Sequence, residues 1–229
     1  MILHRVSDGG CQSYLVACPA SGAAILIDPS LGAVERCLAV LDGEGLNLRY
    51  VVDSHTHADH VSGARTIGER LDVPVAMHQG SSAPWADRRL GDGDTIVAGD
   101  LRIEGIHTPG HTSDSMCLRI GEHLFTGDTL LIGATGRTDL PTGDPEALYD
   151  SLFNRLLKLD PALQIYPAHD YKGRTSSTIG AEIAQNPRLQ YRDRAAFVEM
   201  MRGLKLPTPE RMTTALRSNT GGGEPGADR

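Results

Sequence analysis

The amino-acid sequence predicts a single domain of mixed α/β type, and three observations carry that prediction. The chain has 229 residues, 40% of them hydrophobic, enough for one substantial core without a separate second domain. Short apolar runs that stop at Gly, Pro or Asp recur along the chain and read as strands. Between several of them the apolar spacing changes to the three-and-four repeat of a helix. No repeat of fixed period and no long linker interrupts this alternation.

The strand candidates, in order, are "SYLVAC" (13–18), "AAILID" (23–28), "YVVD" (50–53), "VPVAM" (73–77), "DLRIEGIH" (100–107), "MCLRI" (116–120), "HLFTGD" (123–128) and "LQIYP" from Leu163. A helix is expected over 61–71, where Val61, Ala64, Ile67 and Leu71 share a face. A second is expected over 144–159, with Asp144 as N-cap, Pro145 at the first helical position and Leu148, Leu152, Leu156 and Leu159 as its stripe. The stretch from 176 to 217 reads as helical, broken at Pro187, Pro207 and Pro209. The Gly-rich end reads as a disordered tail over 218–229, leaving 1–217 as the folded domain with a C-terminal helical segment.

A net charge of −7 argues against nucleic acid or an anionic membrane as the main partner. No N-terminal run has the form of a signal peptide, and no apolar segment approaches the length of a membrane span. The four cysteines, Cys11, Cys18, Cys37 and Cys117, show no CxxC spacing. That pattern suits reduced thiols, so a cytoplasmic location is expected.

Residues 54–60, "SHTHADH", hold three of the nine histidines. The cluster begins where the apolar run "YVVD" stops, on a loop that a sheet would fix and water could reach. Three other segments share that character: "TPGH" sets His111 after a strand and a Pro-Gly turn, "FTGD" sets Asp128 after a strand, and "YPAHD" sets His169 after another. One such residue alone is more often a turn former than a ligand. The crowded imidazoles are different, because without a cation their lone pairs would compete unsatisfied. Imidazole with carboxylate and no cysteine in the set fits zinc, iron or manganese. His4, His78 and His123 stand alone and read as packing residues, and His107 reads the same way. "GDGD" (91–94) is turn chemistry and not a phosphate loop.

HxHxDH, GH, GD and AHD in this order resemble the metallo-β-lactamase superfamily, whose fold is a four-layer αββα sandwich with a metal site at one edge of the two sheets. Within it the chain is most similar to the glutathione-dependent persulfide dioxygenases, the sulfur dioxygenases related to the ethylmalonic encephalopathy protein. "GRTD" and "YPAHDYKG" carry that narrower match. The resemblance implies one iron(II) per chain, held by His55, His111 and Asp128, with zinc as a substitute ion. Its substrates would be glutathione persulfide and O2, taken with water to sulfite and glutathione. His57, Asp59, His60 and His169 would surround the ion or hold a second metal. Arg137 would grip a substrate carboxylate, and Tyr171 and Thr112 would contact the same ligand. The resemblance allows a homodimer, which no sequence feature compels.

A rival from the same superfamily is a glyoxalase II-type hydrolase of glutathione thioesters with two metals. His55, His57 and His111 would hold one ion, Asp59, His60 and His169 the other, and Asp128 would bridge them. The residue types present suit both readings. The "GRTD" and "HDYKG" segments, and a chain that stops some 60 residues after His169, favour the dioxygenase. A non-catalytic thiol sensor finds no paired cysteines to support it.

Overall fold

The computed structural model describes residues 1–221 and consists of two six-stranded sheets stacked face to face. The first contains β1 (Ile2–Asp8), β2 (Cys11–Ala17), β3 (Ala23–Ile27), β4 (Asn47–Val52), β5 (Val75–His78) and β6 (Arg88–Leu90), side by side in sequence order. The second contains β7 (Thr95–Ala98), β8 (Leu101–His107), β9 (Met116–Ile120), β10 (His123–Gly127), β13 (Gln164–Pro167) and β14 (Ser177–Thr178). A small hairpin, β11 (Leu130–Leu131) with β12 (Ala134–Thr135), follows β10.

Strand alternation decides what each face buries. On β2, Tyr14 and Val16 point between the sheets and join Ile25, Val52, Ile103, Leu118 and Phe125. Their neighbours Leu15 and Ala17 point outward, where α1 (Val34–Gly43) and α2 (Ala64–Leu71) cover them with Cys37, Leu41 and Ile67. The outer face of the second sheet offers Ile106, Leu124 and Ile165 to α3 (Pro145–Tyr149), α4 (Ile179–Gln185) and α5 (Arg194–Arg202). The layers are therefore αββα, as the resemblance implies.

Two expectations need correction. The region 144–159 is not one α-helix: α3 passes into a π-helical segment over Asp150–Arg155 and a 3-10 turn over Leu156–Lys158. In an α-helix each four-residue step overshoots a full turn by about 40°. The wider π winding takes up that drift, so Leu148, Leu152 and Leu156 all reach the sheet and are fully buried. The tail does not begin at 218 either, because α6 (Met212–Gly221) continues through it and buries Asn219. Residues 222–229, the rest of that expected tail, lie outside the described part. Sequence patterning also passed over β1, α1, β6 and β7.

The stacked sheets bring chain ends together at one edge. β4 leads into the histidine-rich loop, β8 into 108–115, β10 into Asp128 and β13 into His169, while Cys11 opens β2 beside them. Backbone hydrogen bonds fix this junction: Met116 N–H donates to Ser54 O (2.8 Å), Ala168 N–H to Gly127 O (2.9 Å) and Gln12 N–H to Ala168 O (2.7 Å).

Candidate metal centre

Three donor atoms converge at this edge because three specific bonds turn the other side of each ligand away. His55 is buried, and its Nδ1 pairs with Ser54 Oγ at 2.8 Å. That leaves Nε2 buried with no hydrogen-bond partner, an arrangement a folded core tolerates only when something else fills the position. His111 Nδ1–H donates to the Arg137 carbonyl at 2.8 Å, which leaves the Nε2 lone pair inward, 3.6 Å from Asp128 Oδ2. Asp128 accepts at Oδ1 from His169 Nδ1–H at 2.7 Å, so Oδ2 is the oxygen left over. Ligand atoms of His55, His111 and Asp128 all lie within 4.8 Å of one another. Outer hydrogen bonds of this kind are what orient imidazole and carboxylate toward a metal.

Protonation suits the same purpose. Burial, reinforced by His57 and His111, holds His55 well below the ordinary imidazole range, so it is neutral. Burial alone would raise the Asp128 carboxyl, but the charge of His169 and its hydrogen bond outweigh it and keep the group ionised. Two imidazoles and a carboxylate, with the buried Nε2 of His55 left unpaired, fit a divalent cation.

A second cluster lies behind His169. Its Nε2 stands 2.8 Å from Asp59 Oδ2, and Cys11, Asp59, His60 and His169 offer ligand atoms within 4.8 Å of one another. Burial would raise the Cys11 thiol, yet hydrogen bonds from His169 and His60 bring it down to about 7. His60 is pushed up to about 10, since the Asp59 carboxylate beside it overcomes its burial.

The ligand atoms of His57 converge with those of Asp28 and Asp53, although its ring lies 4.1 Å from that of His55 and its buried Nδ1 has no hydrogen-bond partner. His57 is wholly buried between two carboxylates, with Nε2 3.4 Å from Asp28 Oδ1 and 4.0 Å from Asp53 Oδ1. Burial, with Asp28 alongside, lifts the Asp53 carboxyl to about 6, while His57 opposes the rise. Asp28 sits in the left-handed region at φ 49° and accepts the Ser54 amide at 2.6 Å. It thereby anchors the start of the histidine loop from β3.

The structure gives the expected substrate contacts other work. Arg137 spends its guanidinium on both oxygens of Asp139 (2.6 and 2.7 Å) and on the carbonyls of Pro207 (2.7 Å) and Leu206 (3.4 Å). It staples the 206–207 segment over the main cavity, whose wall it also joins. Thr112 is buried and donates to Asp114 Oδ1 at 2.6 Å; Thr56 Oγ1 donates to the other oxygen at 2.5 Å. Asp114 thus ties the His111 loop to the histidine loop, and Thr112 faces a separate small cavity. Tyr171 does line the main cavity, 77% exposed, with its ring stacked parallel to His169 at 6.0 Å. His78 is not isolated, since its ring stacks on His107 at 3.9 Å.

Other residues at the site were not singled out from the sequence. Asn219 on α6 is buried and bonds three points of the histidine loop: its Oδ1 accepts Ser62 N–H (3.0 Å) and its Nδ2 donates to His57 O (2.8 Å) and His60 O (2.9 Å). Gly136 leaves room that a side chain would deny, because a Cβ there would strike Asp128 O and lie 2.9 Å from His111 Nδ1. Gly127, at φ 51°, turns the chain into Asp128, and a Cβ on it would come within 2.6 Å of Ser54 Oγ. The main cavity, about 690 Å³, opens over Asp59, His111, Asp128 and His169. Arg211, from the segment leading into α6, joins its wall, as does Arg188.

Sandwich and site together define a metal-binding hydrolase-or-oxygenase scaffold, and comparison with known families agrees. The model of the metallo-beta-lactamase superfamily matches residues 6–169, and the chain belongs to that superfamily. Among its relatives is the protein named "Persulfide dioxygenase ETHE1, mitochondrial" of Homo sapiens, 37% identical over 90% of this chain and 82% of that protein. The crystal structure of ETHE1 from Myxococcus xanthus superposes with a TM-score of 0.93 at 37% identity, covering 96% of this chain and 98% of that one. TTHA1623 in a di-iron-bound form is more distant, with TM-score 0.67 and 30% identity over 82% of this chain and 99% of that one.

Proposed function

We propose that this chain is an iron(II)-dependent persulfide dioxygenase that converts glutathione persulfide, O2 and water to sulfite and glutathione. The observation that carries the reading is the donor set whose ligand atoms converge, two imidazoles and one carboxylate. His55, His111 and Asp128 form one ligand group, while His57 faces Asp28 and Asp53 in another. A two-metal hydrolase needs His57 on the same ion as His55 and His111. Two imidazoles and one carboxylate with open positions remaining are the donor set of non-haem iron(II) oxygenases. The likeness to proteins named persulfide dioxygenase supports the same reading.

When bound, iron(II) would supply the Lewis-acid and redox chemistry that activates a persulfide sulfur and O2. The chain's own residues do the positioning. The Arg137 carbonyl fixes the ring of His111, and Ser54 that of His55. His169 holds Asp128 with one oxygen inward. A cavity of about 690 Å³ is within the range for a tripeptide-sized ligand. Leu131, Leu206 and Pro207 give it apolar wall, and Arg211 brings the cation we assign to a glutathione carboxylate in place of Arg137.

Oxygen uptake by iron-loaded protein given glutathione persulfide, measured beside thioester hydrolysis by the same sample, tests the proposal. Oxygen consumption with one sulfite per O2 is expected. Thioester cleavage without oxygen uptake would transfer the site to the two-metal hydrolases. Asp128→Asn is expected to lose iron and turnover together, since a neutral amide holds the cation far more weakly than a carboxylate.

A further inference from the structure

The small cavity that Thr112 faces has no part in holding metal or persulfide. We propose that it is a separate entry and holding site for O2, apolar in character, which serves the candidate metal centre while substrate fills the main cavity. The identity of the gas rests on the oxygenase reading, and the test below separates the two.

Placement is the first argument. The cavity measures about 220 Å³, below the roughly 300 Å³ at which pockets for small-molecule ligands begin. Its floor is built from the two loops that present the imidazole ligands: Thr56 directly follows His55, and Thr112 directly follows His111. Its rim is exposed at Gly80, Ser82, Ser113 and Thr142, none of which lines the main cavity, so it opens to solvent by its own mouth. Ala58 and Leu140, both buried, line the two cavities alike and form the partition between them. A tripeptide-sized ligand buries most of its surface in its pocket. It therefore stops the main mouth, and a gas that follows it needs another way in.

The chemistry of the wall is the second argument. Threonines in it would call for a polar ligand, but their hydrogen bonds are already spent. Thr56 Oγ1 donates to Asp114 Oδ2 (2.5 Å), Thr112 Oγ1 to Asp114 Oδ1 (2.6 Å) and Thr220 Oγ1 to the Leu216 carbonyl (2.7 Å). Asp114, the charged residue among the described ones in the wall, accepts the Thr56 amide as well (3.3 Å). What these threonines still offer is their methyl groups, beside Ala58, Leu140 and Leu216. An anion finds no cation there, and a peptide finds few free donors. An apolar cavity of about 150 Å³ stays dry and binds xenon, so size and polarity together select a small apolar gas.

Xenon and nitric oxide are the probes. Crystals of iron-loaded, full-length protein pressurised with xenon are expected to show it in this cavity. Nitric oxide stands in for O2 without turnover. Its uptake by the iron-loaded protein, followed by stopped flow, is expected to keep its rate when saturating glutathione fills the main cavity. Ser82→Trp and Leu216→Trp each place an indole in the small cavity alone, since neither residue lines the main one. Both are expected to slow nitric oxide uptake by the glutathione-filled protein about tenfold, the effect of a barrier about 1.4 kcal/mol higher. The same fall is expected in kcat/KM for O2, with iron content and circular dichroism parental. Xenon confined to the main cavity, or parental nitric oxide uptake in both variants, overturns the proposal. A parent that shows both probe effects but consumes no O2 keeps the gas site and overturns the oxygenase reading instead.

Discussion

Asn219→Ala removes three hydrogen bonds at once from the loop that presents His55, His57 and His60, although Asn219 lies on the last helix and touches no substrate. The Ser62 amide and the carbonyls of His57 and His60 lose their partner in a buried setting. A buried polar group left unpaired costs about 1–3 kcal/mol. Three of them give about 3 kcal/mol as the low figure, a sizeable part of the 5–15 kcal/mol that holds a typical domain together. If α6 lifts away so that water reaches the loop, the loss of stability falls but the loop loses its clamp. Either route loosens the histidines, so iron release should accelerate, by about a hundredfold if the full 3 kcal/mol appears there. Denaturation of the metal-free chain and the rate of iron transfer to a chelator measure the two effects. Asn219→Asp sharpens the test: it keeps the acceptor for Ser62 but turns an oxygen toward two carbonyls, so it is expected to do no better than alanine. An alanine variant with parental stability and parental iron release would refute this account of α6.

Other perturbations have equally definite outcomes. Gly136→Ala drives a methyl group into Asp128 O and the His111 ring, so iron content is expected to collapse while the fold, read by circular dichroism, survives. Arg211→Ala is expected to raise KM for glutathione persulfide at least tenfold, as loss of a charge-assisted contact of about 1.5–3 kcal/mol requires, with iron and kcat retained. Arg137→Ala leaves the His111 contact intact, because that contact uses the backbone carbonyl; it frees the 206–207 wall, and Arg137→Lys does not rescue it because an ammonium cannot reproduce the fork. Burial would raise Asp170, but the amides of Arg174 and Lys172 and the Arg174 guanidinium hold it below the ordinary carboxylate range. Its stabilisation is therefore present above about pH 4 and lost as pH falls through the depressed value. The stability gap between parent and Asp170→Asn, measured on metal-free protein, should be open at about pH 7 and close on acidification.

How much of this was legible in the sequence follows from how local each feature is. Strands such as "AAILI" announce themselves because both faces are buried, leaving an uninterrupted apolar run. The edge strand β1 hides, since only Val6 of its seven residues is buried and charge intrudes on its pattern. The metal-type residues were visible because imidazole is rare and here concentrated. The separation of His57 from His55 was not, for it depends on Asp28, brought from another strand by the parallel pairing of β3 with β4. Arg137 shows the opposite case: residue type suggested a free cation, and only the path of residues 206–207, some 70 positions later, shows that most of its donors are also held within the chain. Cys11 and Asn219 carried no pattern because their partners lie 48 and more positions away.

The division of donor atoms among three neighbouring clusters bears on how a chain with a full set of two-metal ligands could keep its first site to one ion, as we propose. Ligand identity alone counts seven groups. Orientation divides them: Nε2 of His57 faces Asp28 and Asp53, and Cys11 lies beside His60 and Asp59. A carboxylate pair buried beside His57 is costly to maintain, and Asp53 shows that cost in its raised proton affinity. Replacing Asp53 with Asn would remove one of the two charges holding His57, and Asp28 would remain to anchor Ser54. If the separation of His57 keeps the first site to a single ion, that exchange moves metal content toward two per chain without disturbing the triad; unchanged stoichiometry would place the control with Asp28.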